Sequence, residues 1–337
     1  MNDDVAVIVV AHGSASVLPG LIASALPQLR ADDALVIVDN ASSDGTPEVV
    51  RSLSERVRLI ANDDNRGFAA GCRQGIEATV APLLLLLNPD ARLEAEALDR
   101  LRAAAAAHPD WTAWQAVVML PDGQINTSGG VVHYLGIGWA GQCGEDASAL
   151  ARTPYETAFP SGAAMMIRRT AWEELAGFDD SYFLYGEDLD LGLRSWLLGG
   201  RVGVEPRARV IHDYDFDKGA HKWFLLERNR WRTVIATYPR ALLIALLPGL
   251  LAAELALLVV AARGGWLRAK LAAQRATVLG LPASMRRRAV VQQTRRIGAR
   301  EFASHLTASL DTSFVGLPPA LARAQRLHWL VVTRLLR

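Results

Sequence analysis

The sequence has few cysteines and lacks several segments that would define other protein classes. Cys72 and Cys143 are its only cysteines in 337 residues, too few for a disulfide framework or a zinc cluster, so a reducing compartment is expected. The N-terminal stretch MNDDVAVIVV is acidic before its first apolar run, which is not expected of a secretion signal. No glycine-rich phosphate loop follows, although a nucleotidyltransferase on a comparable sheet would normally show one.

Charge is also missing from long segments. Residues 241–262, ALLIALLPGLLAAELALLVVAA, have Glu254 as their only ionisable side chain. As a helix this segment would measure roughly 33 Å, about the hydrocarbon thickness of a bilayer. Residues 263–300 contain ten Lys or Arg and no Asp or Glu, whereas residues 1–262 carry 22 basic and 33 acidic side chains. The net charge of +1 therefore hides a basic block next to an apolar segment.

This arrangement favours a membrane surface as a partner. A basic block after an apolar segment is typical of contact with anionic lipid headgroups on the cytoplasmic face of a membrane. The block lacks the interleaved aromatic residues of a base-stacking surface, so no nucleic acid partner is expected. Pro248 and Glu254 disfavour a spanning helix because a charge at mid-bilayer is costly. We therefore predict an interfacial or re-entrant helical hairpin; a hydrophobic helix packed on the rest of the chain, or in a homodimer interface, is the alternative.

Four short apolar runs, separated by stretches of helix length, dominate the N-terminal part. They occupy residues 5–10, 34–39, 57–62 and 83–88. This spacing is typical of βαβ units, so the sequence predicts an α/β fold with a mostly parallel, Rossmann-like sheet and helices on both faces. We also predict a helix from about Leu93 to Ala107, short strands and turns over 110–138, and a further helix that begins near Glu187.

Each apolar run ends in small or polar residues, and ligands of open α/β sheets bind at the carboxyl ends of strands. Asp39, in VDNASSDG, is a candidate acceptor for a donor group of a base or ribose, with a plain helix N-cap loop as the alternative. Gly67 and Gly71, in NRGFAAG, lie where a backbone can approach a phosphate closely. These features make the C-terminal edge of the sheet the expected binding site.

Asp90 follows five consecutive leucines and should emerge from a buried strand at the same edge. A carboxylate in this place can hold Mg²⁺ or Mn²⁺ against a diphosphate, because these hard cations prefer oxygen ligands and substrate phosphates. A turn with a helix N-cap is the alternative. His212, after the apolar run ARVI, is a candidate second ligand of the same ion.

A group of carboxylates in SYFLYGEDLDLGLR, residues 181–194, is enclosed by aromatic and leucine side chains. Burial of ionised carboxylates costs several kcal/mol unless cations or hydrogen bonds meet them, so the stretch indicates a site. Asp188 is predicted to act as a general base whose pKa is set by its neighbours and partial burial. Glu187 is predicted to position an acceptor hydroxyl.

The order of these motifs is more specific than any one of them. VDNASSDG, NRGFAAG, LLNPDARL, SGAAMMIRR and GFDDSYFLYGEDLDLGLR are followed by a downstream histidine. In this order the sequence resembles the inverting GT-A glycosyltransferases of family 2, and most closely their rhamnosyltransferase-like branch. The resemblance covers residues 4–240, and a similar apolar and basic tail occurs in membrane-associated members.

The resemblance implies a role for each matching position. Asp188 corresponds to the base that takes the proton from the acceptor hydroxyl as it attacks the anomeric carbon with inversion, and Asp90, with His212, to the metal ligand. Asn88 replaces the first Asp of the common Asp-x-Asp signature, a form frequent in this branch. The implied nucleotide-sugar residues are Ala11, His12, Asp39, Asn40, Asn65, Gly67, Phe68, Gly71, Arg73 and Asn88, and the implied acceptor residues are Ser161, Gly162 and Tyr185.

The predicted protein is thus a membrane-associated glycosyltransferase. It would move a sugar from a donor such as dTDP-rhamnose or a UDP-sugar to a lipid-linked or cell-envelope glycan. We predict a catalytic domain over 1–238, a hydrophobic and basic membrane-associating region over 239–300 and a helical tail over 301–337. A catalytically degenerate scaffold that binds partners at the membrane is the alternative, and the sequence leaves open whether two copies associate.

Overall fold

The computed structural model describes residues 3–212, 219–310 and 319–336. It groups the chain into two compact units. The first comprises Met1–Gly130, Ala140–Leu191 and Gly200–Tyr214, and the second comprises Val131–Trp139, Gly192–Gly199 and Asp215–Arg337. The domain boundaries at 238 and 300 stay predictions, and residues 311–318 and 337 of the predicted tail lie outside the described residues.

Strands and helices alternate along the N-terminal part of the chain and helices follow. The strands are β1 (Val5–Ala11), β2 (Ala34–Asn40), β3 (Val57–Asn62), β4 (Leu83–Leu87), β5 (Ala91–Leu93), β6 (Trp111–Met119), β7 (Ile125–Thr127), β8 (Gly130–Val132), β9 (Gly138–Ala140), β10 (Tyr155–Glu156), β11 (Ala164–Arg168) and β12 (Arg201–His212). The α-helices are α1 (Leu18–Ala25), α2 (Thr46–Leu53), α3 (Gly67–Glu77), α4 (Ala97–Ala107), α5 (Arg169–Glu174), α6 (Glu187–Leu197), α7 (Gly219–Thr237), α8 (Arg240–Arg263), α9 (Leu267–Leu279), α10 (Leu281–Thr294), α11 (Ala299–Ala303) and α12 (Pro319–Leu335).

The first unit contains a sheet of order β10-β12-β6-β11-β4-β1-β2-β3. The neighbours β4-β1-β2-β3 pair in parallel, as do β6 and β12. β11 runs antiparallel between β4 and β6. The register sets Ala11 opposite Asp39 and Asn40 opposite Asn62, so the polar strand ends form one row. The predicted mostly parallel α/β sheet is confirmed.

Alternate residues of the central strands face opposite layers of helices, as the two-residue period of a strand requires. Val7 and Val9 belong to a buried core that also contains Leu21 of α1 and Leu98 of α4. On the other face α3 lies against β1, and a Cβ added at Gly75 would lie 2.6 Å from Ile8 Cγ2. Helices therefore cover both faces, as predicted.

The structure corrects the predicted start of the helix after β4. Leu93 lies in β5 and pairs with Val210 of β12, and the Glu94 backbone N–H donates to the carbonyl of Arg209 at 3.0 Å. Because these contacts hold the chain in the sheet, α4 begins at Ala97 rather than near Leu93. β3 also differs from the other central strands, since its position at the sheet edge leaves it partly exposed.

The prediction of a helical hairpin in 241–262 is wrong. α8 is one continuous helix that passes through Pro248. Glu254 Oε2 accepts from Lys270 Nζ at 2.8 Å, and Glu254 also forms an ion pair with Arg230. Burial alone would raise the pKa of Glu254, but the charges of Arg230 and Lys270 outweigh it and lower this pKa to about 2. The carboxylate therefore has partners without a turn in the chain.

Within residues 3–212, 219–310 and 319–336, one helix, α8, is long and apolar enough to cross a membrane. Its length and composition alone meet this criterion. Most of its apolar window is not buried by the rest of the protein.

Candidate active site

Asp39, at the end of β2, keeps one carboxylate oxygen available. The side chain is 1% exposed, and its Oδ2 accepts from the Ser42 backbone N–H at 3.1 Å. Its Oδ1 is buried and has no hydrogen-bond partner among the described residues. Asp44 instead binds the first turn of α2, because its Oδ1 accepts from the backbone N–H and the hydroxyl of Thr46. Asp39 is therefore not the cap of that helix, and its free oxygen suits an incoming donor group.

A hydrogen-bond chain joins the ends of β1, β2 and β3 to the start of α3. The Asn40 carbonyl lies 2.8 Å from His12 Nδ1, at the residue that follows Ala11. Asn40 Nδ2 donates to the Gly67 carbonyl at 3.0 Å, and Asn62 Nδ2 donates to Asn40 Oδ1 at 2.9 Å. These contacts fix the edge where the implied nucleotide-sugar residues lie.

The start of α3 is held by the loop that precedes α6. Asn65 Oδ1 accepts from the Gly67 N–H at 2.9 Å, and the Phe68 N–H donates to the Phe183 carbonyl at 2.7 Å. Gly67 has φ of +81°, and a Cβ there would lie 2.6 Å from the Phe183 oxygen. Only glycine fits this position, because both the backbone angle and the close approach exclude a side chain.

Two other implied nucleotide-sugar residues contact protein groups. A Cβ at Gly71 would lie 2.7 Å from Val10 Cγ1, so this glycine allows close packing of α3 on β1. Arg73 forms an ion pair with Asp180. Their predicted contact with a ligand stays a prediction.

Asp90 and His212 come together at the ends of β4 and β12. His212 Nε2 lies 2.8 Å from Asp90 Oδ1 and 3.3 Å from Asn88 Nδ2. The His212 side chain is buried, whereas the Asp90 side chain is 26% exposed. No group of three His, Cys, Asp or Glu suited to a metal occurs in the described ranges. A carboxylate oxygen and an imidazole nitrogen at this spacing fit a divalent cation that takes its remaining ligands from phosphate and water.

The turn before β11 contacts Asp188 directly. The Gly162 N–H donates to Asp188 Oδ2 at 3.0 Å, and the Leu189 N–H donates to Asp188 Oδ1 at 2.7 Å. The Ser161 N–H donates to Gln115 Oε1 at 2.7 Å. Both oxygens of Asp188 are therefore oriented by backbone donors, while the side chain stays partly exposed.

The environments of Glu187 and Asp188 differ. Burial, and then the charge of Asp188, raise the pKa of Glu187 well above its usual value. Burial also raises the pKa of Asp188, but hydrogen bonds from the backbone of Gly162 and Leu189 oppose this shift. The buried Oε2 of Glu187 has no hydrogen-bond partner in the part of the chain that the structure describes. The proton is thus favoured on Glu187 and the charge on Asp188.

Asn88, which lies beside the Asp90–His212 pair, is linked to Asp188 through two consecutive residues of the turn. The Asn88 N–H donates to the Ala163 carbonyl at 3.1 Å, and Ala163 follows Gly162, which binds Asp188. The ring of Phe68 also lies against this turn, since a Cβ at Gly162 would be 3.2 Å from Phe68 Cε1. Tyr185, with φ of +68°, lies in the loop just before α6.

Sequence reasoning missed Gln115 and the carbonyl of Phe183. Gln115 is fully buried in β6, and its Nε2 donates to the Thr127 carbonyl at 3.2 Å while its Oε1 holds Ser161. An amide inside the apolar run WTAWQAVVM was the signal available for it. The Tyr182 hydroxyl donates to the buried Asp190 carboxylate at 3.1 Å. Asp190, one of the carboxylates of residues 181–194, therefore has a structural role.

The first unit thus combines a mostly parallel sheet with carboxylates at its C-terminal edge, where open α/β sheets bind ligands. Residues 6–175 match the profile of the family described as Glycosyl transferase family 2, which is half of the chain. The chain belongs to glycosyl transferase family 2 and is a glycosyltransferase.

Three known proteins illustrate the similarity. N-acetylglucosaminyl-diphospho-decaprenol L-rhamnosyltransferase of Mycobacterium tuberculosis is 27% identical over 246 residues, which cover 63% of this chain and 76% of that protein. Rhamnosyltransferase WbbL of Escherichia coli is 34% identical over 76 residues, covering 21% and 29%. The crystal structure of GalNAc-T7 with UDP, GalNAc and Mn²⁺ matches 72% of this chain and 50% of its own with a TM-score of 0.59. At 16% identity, this last likeness concerns the fold.

Proposed function

We propose that this protein is an inverting glycosyltransferase that moves a sugar, rhamnose in the first instance, from a nucleoside diphosphate sugar to a hydroxyl of a lipid-linked or cell-envelope glycan. The proposal depends mainly on one observation. The Gly162–Ala163 turn binds Asp188 through the Gly162 N–H and Asn88 through the Ala163 carbonyl. Asn88 Nδ2 in turn lies 3.3 Å from His212 Nε2, which contacts Asp90 at the same edge of the sheet. Such an edge supports a general base and a diphosphate site side by side.

Asp188 is proposed to accept the proton of the acceptor hydroxyl. As that proton leaves, the hydroxyl oxygen forms a bond with the anomeric carbon, and the bond from this carbon to the diphosphate oxygen breaks on the opposite face. This displacement inverts the anomeric configuration. The backbone donors of Gly162 and Leu189 keep the carboxylate in one orientation, and a neutral Glu187 next to it favours proton acceptance by Asp188 rather than by the buried acid.

The diphosphate is proposed to lie near Asp90 and His212, with Asp39 at the base or ribose. A divalent cation, Mg²⁺ or Mn²⁺, would be held by Asp90 and His212 and would neutralise charge that develops on the leaving diphosphate. The Mn²⁺ in the GalNAc-T7 structure is consistent with this assignment. The unpartnered Oδ1 of Asp39 supports a hydrogen bond from the base or ribose of the nucleotide sugar.

The relatives suggest the substrates. The mycobacterial relative acts, by its name, as an L-rhamnosyltransferase on an N-acetylglucosaminyl-diphospho-decaprenol. A dTDP-rhamnose donor and a polyprenyl-diphosphate-linked acceptor are therefore proposed first, with a UDP-sugar as the alternative donor. An acceptor held by a membrane supports the proposed location at the cytoplasmic membrane face, and α8 and the basic block support it as well.

The test is a donor screen on the purified full-length chain. Release of nucleoside diphosphate is measured with dTDP-, UDP- and GDP-sugars, with a membrane extract as acceptor source, and with or without Mg²⁺ or Mn²⁺. Asp188→Asn is expected to lower transfer by about 10²–10⁴-fold, the usual contribution of a general base, while the melting temperature changes little. Asp122→Asn, at an exposed turn, is the control that keeps full activity.

Two results would contradict the proposal. Undiminished transfer by Asp188→Asn would remove Asp188 from the reaction. A folded wild-type protein that uses no donor in the panel, yet retains its effect on the cell envelope, would favour the scaffold alternative.

A further inference from the structure

A pocket with three arginines lies in the second unit of the protein. Its lining residues are Arg240, Met285, Arg288, Ala289, Gln292 and Arg295, and its volume is ≈ 380 Å³. Arg240 is the first residue of α8, while the others lie on α10 or directly after it. No carboxylate is among these lining residues, and residues 263–300 contain no Asp or Glu.

One of the three arginines of this pocket, Arg288, is held in place by hydrogen bonds, and none of the three forms an ion pair among the described residues. Arg288 Nη1 donates to the carbonyls of Ile235 and Tyr238 at 2.6 and 2.7 Å. Gln292 Nε2 donates to two neighbouring carbonyls at the end of α7 at 2.9 and 3.0 Å. Burial, followed by the charges of Arg295 and Arg240, lowers the pKa of Arg288. The three guanidinium groups thus repel one another, and a bound anion would relieve that repulsion.

An exposed apolar row begins at the pocket. Arg240 lies one turn before Ile244, and Ile244, Leu247, Leu251, Leu255 and Val259 follow at spacings of three or four residues, which places them on one face of α8. These five side chains are 50–68% exposed. The opposite face, with Leu242, Leu246 and Leu250, is buried in the second unit.

The buried face of α8 is also held by charge. Glu254 is bound by Lys270 of α9 and by Arg230 of α7, and Trp231 Nε1 donates to its Oε1 at 3.1 Å. Separation of α8 from α7 and α9 in lipid would leave the Glu254 carboxylate unpaired, at a cost of several kcal/mol, while Arg230 and Lys270 would share Glu227 alone. The helix therefore stays packed against α7 and α9 along one face, and its exposed apolar row is the part that can contact lipid.

We infer that the second unit docks on an anionic membrane surface, with a lipid phosphate headgroup in the pocket of Arg240, Arg288 and Arg295 and the Ile244–Val259 row inserted at the acyl boundary. This inference extends the membrane location in the proposed function and assigns it to specific residues. Guanidinium groups bind phosphate oxygens in paired hydrogen bonds, and an amphiphilic helix that lies in the interface combines apolar burial with attraction to anionic lipids.

A second copy of the chain fits the same surface less well. In a two-fold symmetric contact the same patch meets itself, so a second copy adds its own pocket arginines to those already present. No acidic residue lines the pocket to offset this repulsion. An anionic lipid surface supplies the complementary charge that a second copy lacks.

The experiment measures co-sedimentation of the full-length protein with phosphatidylglycerol or phosphatidylcholine vesicles. Arg240→Gln combined with Arg295→Gln is expected to weaken binding to phosphatidylglycerol by about 25-fold, since each basic residue near such a surface contributes about fivefold. Leu251→Ser combined with Leu255→Ser is expected to weaken binding to both kinds of vesicle. Arg268→Gln with Arg275→Gln is the matched control, because it removes two exposed arginines of the same basic block outside the pocket.

Three outcomes would overturn the inference. An equal loss in the Arg268 and Arg275 control would show diffuse attraction without a pocket. Displacement from vesicles by inorganic phosphate at constant ionic strength would identify a site for free phosphate. A stable dimer in the absence of lipid that the Leu251 and Leu255 changes dissociate would identify a second copy as the occupant. Vesicle binding is measured without a sugar donor or acceptor. A protein that binds vesicles but transfers no sugar would contradict the proposed function alone, and one that transfers sugar but does not bind vesicles would contradict this inference alone.

Discussion

At the scale of single residues, the adjacent carboxylates Glu187 and Asp188 have opposite environments. Glu187 is 4% exposed, and its Oε2 has no hydrogen-bond partner in the described structure. Both oxygens of Asp188, by contrast, accept hydrogen bonds from backbone N–H groups. Two neighbouring acids of the same chemical type can therefore hold different protonation states at one pH. This difference allows one of them to accept a proton while the other stays neutral.

This difference predicts how stability depends on pH. The folded pKa of Glu187 lies above its unfolded value of 4.5. Its contribution to stability is therefore fully present below pH 4.5 and is lost as pH rises through the folded pKa. Glu187→Gln, which resembles the protonated acid, should therefore stabilise the protein at neutral pH, on the order of 1–3 kcal/mol for a relieved buried group. The gain should disappear near pH of about 4.

Thermal unfolding of the wild type and the variant across this pH range is the measurement. Glu48→Gln, at an exposed position in α2, should change the melting temperature little at any pH. A Glu187→Gln variant that is less stable than the wild type at neutral pH would show that the charged form of Glu187 is the one the fold favours.

The sequence predicted where some of these residues lie in the fold, while their roles stay predictions. Asp39, Asp90 and His212 follow apolar strands, and the parallel register alone brings such residues to one edge. Gln115 was not predicted, because its role depends on the register of β6 against β11, which the local pattern does not specify. The unequal burial of Glu187 and Asp188 likewise depends on tertiary contacts.

At the scale of elements, α8 shows how distant partners decide a local outcome. Pro248 and Glu254 made a hairpin the reasonable prediction. The partners of Glu254 lie 24 residues before it and 16 residues after it, a distance at which sequence patterns carry no pairing information. The same limit applies to α4, whose start is delayed by pairing of β5 with β12. By contrast β1, β2, β3 and β4 were predictable from their apolar runs.

The contact between α7, α8 and α9 yields a stability prediction. Glu254→Leu removes one of the two carboxylates that pair with Lys270 and Arg230 and leaves Glu227 to serve both cations. The loss should therefore reach at most the value of about 3–5 kcal/mol that is typical when a buried ion pair loses one partner. Urea unfolding should show this loss, whereas Glu48→Gln at the exposed Arg51 pair should cost less than about 1 kcal/mol.

The pH dependence of this contact has the opposite sign to that of Glu187. Because the pKa of Glu254 falls to about 2, its contribution is present above the unfolded value of 4.5 and is lost as pH falls towards 2. A Glu254→Leu variant as stable as the wild type at neutral pH would mean that the ion pairs contribute nothing net.

At the scale of the whole molecule, the chain forms its two units from interleaved segments. Residues 131–139 and 192–199 belong to the second unit although residues of the first lie on either side of them in sequence. Composition changes along the chain predict boundaries between consecutive segments, so they could not predict this arrangement.

The candidate site residues Asp39, Asp90, Asp188 and His212 all belong to the first unit. A nucleoside diphosphate with Mn²⁺ should therefore raise the unfolding temperature of the transition to which this unit contributes. The stabilisation should reach about 2.7 kcal/mol when the ligand is at about 100 times its Kd. Differential scanning calorimetry of the full-length chain checks this.

Asp90→Ala is the control for the metal. It should remove the part of the shift that depends on Mn²⁺ while leaving the unfolding temperature of the free protein nearly unchanged. A shift that is the same in Asp90→Ala and the wild type would separate Asp90 from the metal.

The reversed direction of β11 has a consequence for how such enzymes diverge. Because β11 runs against β4 and β6, its first residues and not its last reach the edge that holds Asp188. The segment upstream of Ser161 therefore leads into this edge, whereas the parallel strands end there with Asp39 and just before Asp90. Under the proposed function, exchange of this segment for that of a relative with another acceptor should change the choice of acceptor and leave the choice of nucleotide sugar as it was.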